Sequence, residues 1–180
     1  MRNLLVEGII LKRRNVGEAD RILTVFTRQQ GKITIKAGGV RKIPSKRAPH
    51  IEVLNLTSLS LYKGRGLPVL TEAVALENFS QIKGNLTKVG FAYHICELVD
   101  GLCPENQESE AIFILLKDIL HKLSIEEEIA SIIHDFEIKL LNILGYFPIS
   151  QNTTNLNTAF LIENILERKL KSRQIISNFF

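Results

Sequence analysis

The segment Val40-Arg41-Lys42-Ile43-Pro44-Ser45-Lys46-Arg47 holds four cations and no acid. It lies between stretches that read as strands, so its side chains are free to reach a ligand. Arg13, Arg14, Arg21, Lys32 and Lys36 add cations from neighbouring strand ends. Lysines and arginines gathered in this way capture phosphates by charge and counter-ion release, with little information about bases. Aromatic residues decide the mode of binding. Over the same region only Phe26 and Tyr62 are available, with Phe79 at its end and no Trp in the chain. Base-stacking platforms are therefore poorly supplied, and backbone electrostatics should dominate. The competing reading of such cations is a solvated basic surface.

Other chemistries are less well served. His50, His94, His121 and His134 show no Ser/His/Asp spacing and no zincin pattern. His94 and His134 read as ordinary helix residues. Cys96 and Cys103 are seven apart, roughly 10 Å along a helix, which is too far to share one metal. They read as buried or idle thiols. Gly38-Gly39 lacks the Lys-Ser/Thr of a phosphate-binding P-loop and reads as a turn. Glu18 and Asp20, beside Gly17 and Arg21, read as turn formers and ion-pair partners rather than an acid pair. No catalytic residue, cofactor or metal is expected, and folding should need no metal.

The elements that must position the cations follow from composition and period. The chain has 180 residues with 45% hydrophobic and 23% charged content, which excludes a mainly disordered chain, a collagen-like fibre and a disulfide scaffold. No apolar run has the length of a membrane span, so a soluble, cytoplasmic protein is expected. Residues 1–80 carry 14 Lys/Arg against 6 Asp/Glu, a net +8, whereas residues 81–150 carry 5 against 11, a net −6. Such asymmetry suggests a basic module that meets a polyanion, followed by a module with another task.

In the basic module, Leu4–Leu11, Arg21–Arg28, Ile33–Ala37, Leu54–Tyr62 and Leu67–Leu76 read as strands. Gly31 supplies the positive φ of a hairpin connection, and Lys63-Gly64-Arg65-Gly66 reads as a turn. Five short strands fit a small closed barrel better than an open sheet, because closure removes unpaired edges. From about Ser80 the period becomes helical. Leu86, Val89, Tyr93 and Cys96 fall on one helical face, widened by Phe91, Ile95 and Leu98. Ser109 can cap the next helix, and Ser124 with Glu127 reads as a capping box opening a longer one that stops at Gly145. A last helix is expected over residues 158–171, followed by an apolar tail in which Ile175, Ile176, Phe179 and Phe180 should dock on the bundle.

At this level the chain resembles a known family. Gly17-Glu18-Ala19-Asp20-Arg21, Phe26-Thr27, Gly31-Lys32, Ala37, Gly39-Val40-Arg41-Lys42 and Ser45-Lys46-Arg47 occur in the order seen in the bacterial recombination mediator family RecO. The resemblance continues through Tyr93, Glu97-Leu98-Val99-Asp100, Phe113, Leu115-Leu116, Phe136 to Leu141, Leu144-Gly145-Tyr146, Pro148 and Lys169 to Arg173. It implies an α+β, two-domain chain: an N-terminal OB-fold β-barrel over residues 1–79 and a C-terminal α-helical bundle over 80–180. It implies a DNA-binding mediator of recombinational repair that is not an enzyme. Members bind single- and double-stranded DNA, anneal strands, engage the single-strand-binding protein, and with RecR help to load the RecA recombinase; no membrane is involved.

The resemblance carries over Arg21, Lys32, Arg41, Lys42, Lys46 and Arg47 as DNA-binding positions, to which charge and position add Arg13, Arg14 and Lys36. Lys139, in the matching Phe136 to Leu141 segment, is a candidate rim residue for the acidic tail of the single-strand-binding protein. Two departures stand out. The family's Ala-Lys-Gly is Ala37-Gly38-Gly39 here, and many members carry a zinc module of cysteine pairs where this chain runs from Pro148 into Ser150 to Asn157. An internal loss of that module near 149–157 is expected. The alternative function is an OB-fold adaptor that binds a protein or RNA rather than DNA.

Overall fold

The computed structural model describes residues 2–146 and 157–176. The residues proposed as the site of an internal loss (up to 156) and the tail at 177–180 lie outside the described residues, as does the side chain of Ile175. The chain divides into two compact units, Met1–Phe79 with Pro104–Phe113, and Ser80–Cys103 with Ile114–Phe180.

The first unit is built on β1 (Arg2–Val16), β2 (Asp20–Thr27), β3 (Gly31–Ala37), β4 (Leu56–Lys63) and β5 (Val69–Glu77). They close into a barrel in the order β1-β2-β3-β5-β4. The five-strand barrel is the OB-fold expected from the sequence. Closure depends on the length of β1, whose first half pairs with β4 and whose second half pairs with β2. Gly8 stands where the two halves meet, opposite both Thr27 and Thr57. A Cβ there would lie 2.6 Å from Val25 Cγ1, so only glycine lets the three strands approach. A bulge between Ile10 and Lys12 bends the strand at the corner. The barrel closes where β3 runs parallel to β5, with the Lys36 N–H donating to the Pro68 carbonyl at 2.8 Å.

Alternation places Val6, Ile10, Leu23, Val25, Ile33, Ile35, Leu59, Leu61 and Leu70 in the barrel core, and Val40 and Ile51 plug it from the connecting segment. Phe26, one of the two aromatics available for stacking, is buried instead. The strand β4 begins at Leu56, later than the sequence pattern indicates, because Leu54 turns into the left-handed region at φ 75°. Pro104–Phe113 belongs to this unit through backbone contacts: the Asn106 N–H donates to the Lys32 carbonyl at 2.8 Å. Gly31, at φ 66°, makes the approach possible, since a Cβ would fall 1.8 Å from the Gln107 carbonyl oxygen.

The second unit contains α1 (Ser80–Lys83), α2 (Leu86–Leu102), the greater part of α3 (Glu110–Ile125), α4 (Ile129–Ile143), α5 (Thr158–Leu166) and α6 (Lys171–Ile176). Asn85 caps α2 by accepting from the Lys88 N–H at 3.1 Å. The buried face of α2 runs through Phe91, Ala92, His94, Ile95, Leu98, Val99 and Leu102. This corrects the expected stripe, because Leu86 and Tyr93 are exposed. α2 is packed by α1, α4, α5 and α6, so more than one side is buried and a single-face pattern does not describe it.

The expected Ser124–Glu127 capping box is also absent. The Ser124 hydroxyl donates to the Leu120 carbonyl at 2.9 Å within α3, and α4 starts after Glu128 without a side-chain cap. A serine whose hydroxyl bonds back to residue i−4 inside one helix is not placed to cap the next. Ser109 does receive the Ile112 N–H, at 3.4 Å. Gly145 ends α4 at φ 80° with the Tyr146 N–H on the Leu141 carbonyl. The last helical stretch is two helices, broken by Glu167 at φ 52°.

Candidate nucleic-acid interface

Three connections meet at one end of the barrel. The β1–β2 turn, the segment from Gly38 to Arg47 and the start of β5 are tied by hydrogen bonds that the cations themselves make. The Arg41 N–H donates to Ala19 O at 2.9 Å and its guanidinium to Gly17 O at 3.0 Å. The Arg47 guanidinium donates to Leu70 O and Gly38 O, both at 2.7 Å. Arg41 and Arg47 therefore act as posts that hold the loop, with Val40 buried beneath it. A planar guanidinium with several donors suits this role, because one side chain can join two carbonyls.

Asp20 organises the other side. Its carboxylate accepts the Gly39 N–H at 2.8 Å and pairs with Lys36 Nζ at 3.1 Å. The Gly39 hydrogen bond first, then the bond and charge of Lys36, hold this carboxyl below its ordinary range. Arg13 and Arg21 both pair with Glu52, the latter at 3.5 Å. Arg14, Lys42 and Lys46 are exposed, and among the described residues they have no ion-pair partner. The fold thus brings together Arg13, Arg14, Arg21, Lys36, Arg41, Lys42, Lys46 and Arg47, with distinct duties among them. It does not bring Lys32 to this group. Lys32 is at the other end of β3 and only 8% exposed, beside the Pro104–Phe113 segment.

Sequence reasoning passed over Lys63 and Arg65. Both are exposed, Lys63 as the last residue of β4 and Arg65 in the β4–β5 connection, which enters β5 through Pro68 beside Lys36. Their signal was present as two cations alternating with glycines in a turn. In five-strand barrels of this order, oligonucleotides meet the face of strands 2 and 3 and the 1–2 and 4–5 loops.

The helical unit holds two further arrangements. Lys139 pairs with Asp135 at 2.6 Å and lines a groove that also presents Leu115, Ile119, Ile132 and Phe136, with Lys122, Asp118 and Asp135 beside it. Inside the unit lies a buried polar chain that the sequence reading missed. The Ser172 hydroxyl donates to Glu97 at 2.6 Å, which uses its only proton, and accepts from His94 Nδ1 at 2.8 Å. His94 Nε2 meets Glu137 at 2.8 Å, and Thr158 donates to the second oxygen of Glu137. Ser172, His94 and Glu137 stand in the sequence of a nucleophile, base and acid, but the serine proton points at Glu97 and the oxygen is buried. The chain ties α2, α4, α5 and α6 together; it is a staple.

Burial pushes the Glu97 carboxyl up, but donors from the Ser172 side chain, Arg168 and the Ser172 and Lys171 backbone outweigh it and hold it at about 2. Among the described residues no group of three or more His, Cys, Asp or Glu is arranged to hold a metal ion, and no helix is long and apolar enough to cross a membrane.

Known proteins align with both units. Residues 1–79 match the family Recombination protein O N terminal, and residues 83–173 match Recombination protein O C terminal. The chain is 34% identical over 144 residues to the DNA repair protein RecO of Symbiobacterium thermophilum, covering 79% of this chain and 57% of that protein. It is 37% identical over 142 residues to that of a Roseiflexus species, covering 79% and 50%. With the RecO of Dehalococcoides mccartyi it shares 33% over 154 residues, covering 86% and 61%. The chain thus spans little more than half the length of these relatives. The barrel and the helices each match, in the right order and over most of the described residues, and the chain belongs to the RecO family.

Proposed function

We propose that this chain is a non-catalytic, DNA-binding component of recombinational DNA repair. The observation that carries the reading is the set of exposed cations at one end of the barrel, held out on a loop that Arg41 and Arg47 fasten to backbone carbonyls. Relatives named DNA repair protein RecO support the setting. Lys42, Lys46 and Arg14 are the phosphate contacts, with Arg13, Arg21 and Lys36 contributing field from positions already paired to carboxylates. Lys63 and Arg65 extend the field. Single- and double-stranded DNA both present the backbone that such a field reads.

The family resemblance supports strand annealing, and work with RecR to load RecA on DNA coated by single-strand-binding protein, in the cytoplasm at the nucleoid. The groove has an apolar floor for the terminal phenylalanine of that protein's acidic tail, and its rim carries Lys122 and Lys139 beside Asp118 and Asp135, so the lysines would have to exchange those acids for the tail's.

Lys42→Ala with Lys46→Ala tests the DNA reading, because neither side chain holds the loop. Each cation withdrawn from a single-strand phosphate flattens the slope of log K against log salt by about 0.7, so the pair should flatten it by about 1.4, equally for unrelated sequences. An unchanged slope with intact circular dichroism would remove the loop from the DNA site. RNA bound in preference to DNA, or neither bound, would favour the adaptor reading. Unchanged tail-peptide affinity in Lys139→Glu would remove that residue from the proposed groove.

A further inference from the structure

Ile43 is the most exposed large apolar side chain among the described residues, at 104% against 78% for the next, Ile125. A single exposed isoleucine needs no explanation by itself. This one, however, stands at the apex of the cationic loop, with Arg41 and Lys42 on one side and Lys46 and Arg47 on the other. The loop on either side is anchored. Before the apex, Val40 is buried and Arg41 is bonded to Gly17 and Ala19. After it, Arg47 is bonded to Gly38 and Leu70, and Ile51 is in the core.

The apex itself is a tight turn in which the Ser45 N–H donates to the Lys42 carbonyl at 3.0 Å. Pro44 has a fixed φ and confines the backbone of Ile43, so little conformational freedom remains to be given up when the tip meets a ligand. The Ser45 hydroxyl, shielded from solvent in the same turn, has no hydrogen-bond partner among the described residues.

We infer that Ile43, backed by Pro44, is a wedge that enters the base stack of the DNA whose phosphates the flanking cations hold. Proteins that bend or open nucleic acid insert apolar side chains of this kind, isoleucine and proline among them, between adjacent bases. Such a wedge gives a cation-driven site a means of parting stacked bases without aromatic platforms. The inference rests on the proposed DNA-binding function and adds a base-contacting element to it.

The test uses the full chain with single-stranded and duplex DNA carrying 2-aminopurine, whose fluorescence rises when it is unstacked. At saturating wild-type protein the fluorescence should rise. Ile43→Ser should abolish the rise, weaken binding about tenfold because the apolar tip is gone, and leave the salt slope unchanged. Ile43→Met, which preserves an apolar tip, should keep most of the rise. Binding with the full salt slope but no fluorescence rise, or an unchanged rise in Ile43→Ser, overturns the wedge alone. A wild-type chain that does not bind DNA overturns the wedge together with the proposed function. Loss of binding to anionic phosphatidylglycerol vesicles in Ile43→Ser, with DNA binding and fluorescence untouched, would assign the tip to a membrane surface instead.

Discussion

Replacing Glu97 by glutamine should remove a large part of what holds α6 to α2. Glu97 is 15% exposed at its side chain and receives Arg168 at 2.7 Å, Lys171 N–H at 3.1 Å, and Ser172 N–H and hydroxyl at 2.8 and 2.6 Å. These donors outweigh burial and lower its carboxyl from 4.5 to about 2. At about 1.36 kcal/mol per pKa unit, the ionised carboxylate contributes on the order of 3 kcal/mol to the folded state. Because the folded value is the lower one, the contribution is complete above the unfolded value and is lost as pH falls toward about 2. At pH 3 about 2 kcal/mol of it is already gone.

The assay is urea unfolding followed by helical circular dichroism at pH 7 and pH 3, in wild type and in Glu97→Gln. Other carboxylates titrate equally in both proteins, so the difference between them isolates Glu97. The gap should be about 3 kcal/mol at pH 7 and about 1 kcal/mol at pH 3. A gap of the same size at both pH values would show that the carboxylate charge is not what the four donors recognise, and would refute the reasoning.

Other outcomes follow from space and burial. Gly31→Ala meets both a positive φ of 66° and a carbonyl 1.8 Å away, so it should destabilise by more than about 2 kcal/mol and speed hydrogen exchange at the Asn106 N–H. Gly39→Ala has a similar φ of 68° and nothing within 4 Å, so unfolding should show a loss nearer 1 kcal/mol, roughly the backbone contribution alone. Cys96 is buried, and burial, with a smaller contribution from Asp100, pushes its thiol up to about 12. It and the buried Cys103 should resist a thiol reagent at pH 8 in the folded chain and react in denaturant, as absorbance of the released thiolate would record.

Much of this protein was decided locally. Alternation of Ile33, Ile35 and Ala37 with Thr34 and Lys36 is a property of neighbours in the chain, and the three apolar residues are in the barrel core. Gly31 and Gly145 mark turns because positive φ is a single-residue preference. Ser109 marks a helix start for the same kind of reason. The cationic segment from Arg41 to Arg47 was visible because charge is additive and needs no partner to be counted.

What the sequence could not decide is which of those charges are free. Arg41 and Arg47 spend their donors on carbonyls of Gly17, Gly38 and Leu70, residues distant in sequence, while Lys42 and Lys46 remain available. Lys32 and Lys36 occupy one strand and carry the same charge, yet the segment around Glu105 buries the first, while the second stands exposed against Asp20. His94 looked like an ordinary helix residue because Glu137 and Ser172 come to it from positions 43 and 78 residues away. Period and composition fix what each residue would prefer, but partners across the fold determine whether a polar group is a post, a staple or a contact, since hydrogen bonds and burial depend on distance in space.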